Sequence, residues 1–219
     1  NISFIGTSHA PKILAAAAMK KGFFLTNAIE NADLVFVSED APVAEGGERQ
    51  LDMIEHLIRI SHAGRRLSAP LVVSSQVTPG FMRSLGIHPI YHMAETLRIK
   101  DAMERATSPE QIIIGCADVK SPLHTALSNY CAAFECPVRQ MSFESAEFAK
   151  IAINLFLAAQ VDCTNRLAAA ARKVGADWGD VRSALVLDKR IGPHAYTVPG
   201  RWQDSKHLLR DAHWLASIE

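Results

Sequence analysis

Lys150 and Asn154 are the residues on which chemistry would rest, because they interrupt a helix that is otherwise apolar almost all the way round. The stretch Ala146 to Asn165 reads AEFAKIAINLFLAAQVDCTN, with Phe148, Ile151, Ile153, Leu155, Phe156, Leu157 and Val161 spread about its axis. A helix of that kind is buried on most sides. Lys150 and Asn154 are four apart and share one face, and at about 100° per residue Asn165 returns near the same line. A buried ammonium is costly unless it is paired or in use. Together with the asparagine on the same face, it asks for an active site. The residues alone also admit a structural reading, in which the lysine snorkels outward and the asparagine bonds to nearby backbone.

The elements that must position these groups follow from the periodicity. NISFIG reads as a buried strand and Pro11 to Lys21 as a helix, with proline at its start and Gly22 at its end. LVFVS is a second strand, and Glu48 to His62 carries Leu51, Ile54, Leu57 and Ile58 at helical spacing. PLVVSS, QIIIG and CPVRQM read as further strands, with a short helix from Pro79 to Leu85 and a longer one over SPLHTALSNYCAAF. Alternation of this kind predicts an α/β fold: a Rossmann-like parallel-sheet domain over residues 1–141. From Ser145 to Gly175 the pattern is continuously helical, about 45 Å of helix, and GADWGDVRSALVL gives a shorter one after it. This tail, residues 142–219, reads as a long-helix dimerisation segment. So apolar a helix needs cover on several sides, and a second copy packed along the helix starting near Ser145 is the expected cover.

The bulk numbers exclude several classes. With 48% apolar and 21% charged residues over 219 positions, the chain is an ordinary globular one. Lys+Arg and Asp+Glu both total 23, so no bulk charge draws it to nucleic acid or anionic membrane. Lys150, Asn154 and Asp162 break the longest apolar run below the length of a membrane span. Ile2 to Ile5 passes straight into a fold-like pattern, so no signal peptide is expected. Cys116, Cys131, Cys136 and Cys163 fit no zinc or thioredoxin spacing and read as reduced thiols of a cytoplasmic protein. Pro89 lies between His88 and His92 and spoils them as a helical ligand pair, so no metal site is expected.

Several segments, in order, resemble the UDP-glucose/GDP-mannose dehydrogenase family, whose members oxidise a nucleotide sugar to the uronic acid with NAD. AEFAKIAINLFLAAQVDCTNRLAAAARKVGADWGDV is similar to that family's central dimerisation helix and the turn after it. DKRIGPHAYTVPG resembles the lead into its catalytic loop. Weaker likenesses lie in SSQVTPGF (Ser74 to Phe81), ENADLVFVSEDAP and AETLRIKDA (Ala94 to Ala102). The resemblance implies a catalytic role for Lys150 and Asn154 in stabilising the oxyanion and positioning water. It implies a proton-handling role for Glu95 and a site role for Asp211 in LLRDAHWL. Read without it, Glu95 is a surface glutamate, and Asp211 a partner for Arg210 or a neighbouring helix end.

The departures from the family are as specific as the likenesses. Aligned from Tyr196 and Pro199, the family's glycine-glycine-serine-cysteine becomes Asp204-Ser205-Lys206-His207, so His207 stands where the nucleophilic cysteine belongs. A histidine cannot form the thiohemiacetal that carries the aldehyde to its second oxidation. His207 is then either a base or a solvent-facing loop residue. The cofactor end retains Gly6 but has Thr7-Ser8-His9-Ala10 where the fingerprint needs small residues. Gln76 replaces the threonine of the family turn, and after Gly22 the family's additional strand and helix are absent. Gly6, Ser8 and Gln76 are the cofactor-binding positions the resemblance implies, with NAD as the cofactor. The missing glycines predict lost NAD affinity, although the amides around Ser8 leave room for an anion site at the helix start. The family's C-terminal nucleotide-sugar-binding domain is not expected here.

Three functions follow as expectations. The first is a divergent nucleotide-sugar dehydrogenase relative, with a nucleotide-sugar ligand, that cannot complete NAD-dependent oxidation to a uronic acid. The second is a non-catalytic dimeric binding or scaffold protein. The third is an NAD-independent acid–base enzyme on a sugar-like substrate, using Lys150, Glu95 and His207.

Overall fold

Runs of branched and aromatic residues, too short for helices, pair into one six-stranded sheet whose spatial order is the order of the chain. The computed structural model describes residues 1–44, 47–94, 97 and 99–219. The strands are β1 (Ile2–Ile5), β2 (Leu34–Val37), β3 (Leu71–Val73), β4 (Ile90–Met93), β5 (Ile112–Cys116) and β6 (Val138–Ser142). All neighbours are parallel except β4 and β5, which pair His92 with Gly115 and Met93 with Ile114 in antiparallel register. The sheet is thus largely parallel, as expected. β4 is a strand that the apolar pattern of the sequence did not single out.

Helices cover both faces, which is why β2 is buried at every residue. Leu14 and Ala18 of α1 (His9–Lys20) pack with Leu127 and Tyr130 of α5 (Thr125–Ala132) over Phe36, Val72 and Ile114. On the other face, Ile54 and Ile58 of α2 (Asp52–Gly64) and Met82 of α3 (Phe81–Ser84) pack over Val35, Val37, Leu71 and Val73. Pro11 falls in the first turn of α1, where no amide is required of it. A short α4 (Ala102–Thr107) precedes β5.

Between α1 and β2 there is neither a strand nor an α-helix, only a 3-10 turn (Ile29–Asn31), but Leu25 forms a single parallel bridge with Ile2, outside β1. Ile2 N donates to Phe24 O at 2.8 Å and Thr26 N to Ile2 O at 3.0 Å. The chain therefore visits one side of β1 at Leu25 and then crosses to β2 on the other. The direction of winding reverses between β1 and β2, and in doubly wound sheets ligands bind beyond the strand ends at such a reversal.

The chain divides into two compact units, residues 1–44 with 49–150, and residues 45–48 with 151–219. The long helix α6 (Phe143–Lys173) begins in the first and continues into the second. The second unit adds α7 (Trp178–Leu187) and α8 (Lys206–Ala216). Gly175, at φ +75°, ends the long helix in the left-handed conformation that glycine adopts most cheaply. Asp177 caps α7 and Ser205 caps α8, each accepting from an amide of the first turn. Among the described residues no helix is long and apolar enough to cross a membrane.

Candidate functional site

Asn154 and Asp211 supply the buried polar pair of the second unit. They are 57 residues apart in the chain, yet Asn154 Nδ2 donates to Asp211 Oδ2 at 2.7 Å. Both side chains are buried, Asp211 completely. The carboxylate only accepts, so the bond fixes which way the amide points. Arg210, itself 4% exposed, lies with Nε 3.7 Å from the other carboxylate oxygen. Asp211 therefore lies beside Arg210, as its reading without the resemblance had it, and also binds Asn154. Burying such charges is costly unless they are paired.

Along the same helix, polar residues hold the segment from Tyr196 to Trp202 against α6. Gln160 Oε1 accepts from Tyr196 N at 2.9 Å and Thr164 Oγ1 donates to Tyr196 O at 2.7 Å. Asn165 exchanges two bonds with Gly200, at 2.8 and 3.0 Å, and Asp162 accepts from the Trp202 indole at 2.7 Å. Asn165 is thus a clamp on the strap; its place in line with Lys150 and Asn154 has a structural use. Lys150 is half-buried one helical turn before Asn154, at the end of the first unit.

His207 is exposed, and it lies in the first turn of α8 rather than in a loop. Its Nδ1 is 3.5 Å from Arg210 Nη2. Ser205 makes this a helix start, and the sequence carried that signal in a capping residue followed by Leu208 and Leu209. Glu95 lies outside the described residues.

The cofactor positions gather at the ends of β1, β2 and β3. Gly6 has φ +140°, and a Cβ there would sit 1.8 Å from the carbonyl oxygen of Ser38. Glycine is needed at this position because the turn runs against the end of β2. Gln76 is half-buried in the loop after β3. Glu39, which sequence reasoning passed over, dominates this edge. Its Oε2 accepts from Thr7 N at 2.6 Å and Thr7 Oγ1 at 2.9 Å, and its Oε1 accepts from Ser8 N at 3.1 Å. Two of the amides expected to remain open at the start of α1, those of Thr7 and Ser8, are in fact taken. A pyrophosphate at a Rossmann turn requires those amides. The residues present do not fit a dinucleotide.

A second carboxylate organises the first unit. Glu147 is 1% exposed and accepts from Gly80 N and Met82 N, both at 2.7 Å, where α3 begins. Burial pushes its carboxyl above the ordinary range, and the two amide bonds only partly oppose that. Arg83 pairs with Glu144 one helical turn earlier, and that bond holds the Glu144 carboxyl down at about 2. The loop from Ser74 to Gly80 is thereby tied to α6. Among the described residues no group of three His, Cys, Asp or Glu could hold a metal. All four cysteines are free thiols.

Comparison with known proteins gives these positions a context. Residues 144–217 match the central domain of the UDP-glucose/GDP-mannose dehydrogenase family. The chain is 27% identical over 176 residues to the UDP-glucose 6-dehydrogenase YwqF of Bacillus subtilis, covering 75% of this chain and 39% of that protein. It is 26% identical over 209 residues to the UDP-glucose 6-dehydrogenase of Bos taurus, covering 83% and 41%. The chain thus spans about two fifths of the length of these curated relatives. A UDP-glucose dehydrogenase from Pyrobaculum islandicum shares its fold with a TM-score of 0.80 at 22% identity, over 99% of this chain and 64% of the other. A GDP-mannose dehydrogenase structure from Pseudomonas aeruginosa gives 0.76 at 18% identity, over 91% and 59%. At those identities the structural likeness establishes the fold.

Proposed function

We propose that this chain, whose residues 144–217 match the central domain of the UDP-glucose/GDP-mannose dehydrogenase family, is a divergent member of it that binds a nucleotide sugar through Lys150, Asn154 and Asp211 without oxidising it to the uronic acid. The buried bond between Asn154 and Asp211 carries this reading. It keeps an amide oriented one helical turn beyond a lysine, the arrangement needed to hold a sugar hydroxyl or an oxyanion. Asp211 fixes the amide and acts through it. Lys150 supplies the positive charge.

Oxidation forms no part of the proposal. The turn after β1 does not fit the NAD that the family would supply, and His207 stands in place of the nucleophilic thiol. A nucleotide sugar at a hundred times its dissociation constant should add about 2.7 kcal/mol to stability. Thermal unfolding with UDP-glucose and GDP-mannose reads this directly, and Lys150→Ala should weaken the response. If neither ligand shifts the transition, the reading is wrong.

A second reading, a dimeric scaffold in the cytoplasm, is favoured by a different observation. Phe156 is 70% exposed on α6 and Leu167 47%, and the two return to nearly the same side of the helix. Apolar residues so placed suit contact with a second copy of this helix. Such a dimer is compatible with ligand binding. It becomes the whole function only if no nucleotide sugar binds.

A further inference from the structure

A single acidic side chain accounts for the closed turn after β1, and the way it is fixed suggests more than a surface contact. Glu39 follows β2, so the reversal of winding between β1 and β2 brings it opposite the start of α1. Its two oxygens receive four donors. Thr7 N and Thr7 Oγ1 reach Oε2, while Ser8 N and Asp40 N, at 3.1 and 3.2 Å, reach Oε1. Four donors fill the accepting capacity of a carboxylate. The backbone that carries Glu39 is fixed as well: its amide donates to Ser75 Oγ at 2.8 Å, and Ser38 N donates to Ile5 O at 2.9 Å. Ser74 N reaches Val37 O at 2.8 Å. Three strand ends thus hold one carboxylate against one turn.

We propose that Glu39 is an internal anion that takes the place of a dinucleotide's pyrophosphate, occupying the amides of Thr7 and Ser8 and excluding phosphate-bearing ligands from the turn. Two effects act together. The Thr7 and Ser8 amides are already engaged, and a second anion there would lie beside a carboxylate that repels it. The charge is present at neutral pH: burial raises the carboxyl, but the bonds from Thr7, Asp40 and Ser8 outweigh it and leave it below the ordinary range. The loss of dinucleotide binding then has a specific cause besides the absent glycines. It resides in one residue of the β2 end, and removing that residue should reopen the turn. The inference does not rest on nucleotide-sugar binding, since its probe is inorganic pyrophosphate and its residues lie apart from Lys150, Asn154 and Asp211 in the sequence.

Calorimetric titration of the full chain with inorganic pyrophosphate tests it. The wild type should give no saturable binding, and Glu39→Ala should bind at least about tenfold more tightly. Equal affinity in the two proteins would overturn the proposal, as would saturable binding to the wild type that shifts the Thr7 and Ser8 amide resonances. Should Glu39→Ala not fold, the wild type alone decides. Its Thr7 and Ser8 amide signals must stay fixed as pyrophosphate is added, and their movement contradicts an occupied turn.

Discussion

Asn154 donates to a carboxylate that no solvent reaches, so its removal takes a hydrogen bond from a buried charge. A hydrogen bond to a charged group is worth about 2 kcal/mol, and Asn154→Ala should lower stability in urea by that order. An unchanged midpoint would show that the pair contributes nothing. His92 makes a prediction about pH. Burial pushes its pKa down to about 4, with a bond to the Val73 backbone opposing only in part. The folded state therefore holds His92 neutral, and the unfolded state binds the proton first. Stability is fully present above about pH 6.5 and falls as pH drops toward 4, by about 3 kcal/mol across that window. The slope should disappear in His92→Gln, as equilibrium unfolding at several pH values would reveal. At this scale the sequence put Lys150 and Asn154 one turn apart on one helix, and both lie in α6. It was silent on Glu39, because an acidic residue 31 positions from Ser8 carries no local sign that the fold brings the two together.

The strongest element, α6, does more than present a face. Through Glu147 it caps the start of α3, with two amides each satisfied by its own oxygen. A glutamine can accept only through one oxygen and would turn an NH₂ toward the other amide. Glu147→Gln should therefore cost about 1–2 kcal/mol, measured by denaturant unfolding, and a neutral result would remove the cap from the account. The long helix and most strands could be read from the sequence because their apolar periods are long or unbroken. β4 escaped because IYHM is short, alternates apolar with polar, and follows Pro89, which has no amide to give. α8 escaped because its residues were matched to a catalytic-loop pattern, whereas Ser205 and the apolar positions after it specify an amphipathic helix.

At the scale of the whole molecule, the exposed apolar residues of α6 predict self-association. Sedimentation of the wild type should give a dimer at micromolar concentration, and Phe156→Glu should shift it toward monomer by burying a charge at the contact. A monomeric wild type would contradict the scaffold reading. The sequence made the α/β class and the family likeness visible, since both follow from ordered motifs. What it left hidden was the state of the cofactor turn, which depends on a tertiary contact.

The most direct test of the central claim is thermal unfolding of the full chain with UDP-glucose and with NAD, each alone and then together. Binding of a nucleotide sugar without oxidation predicts a rise in the transition with UDP-glucose, no rise with NAD, and no NADH formed from the mixture. Stabilisation by NAD with none from UDP-glucose, or NADH produced from the two together, would contradict it.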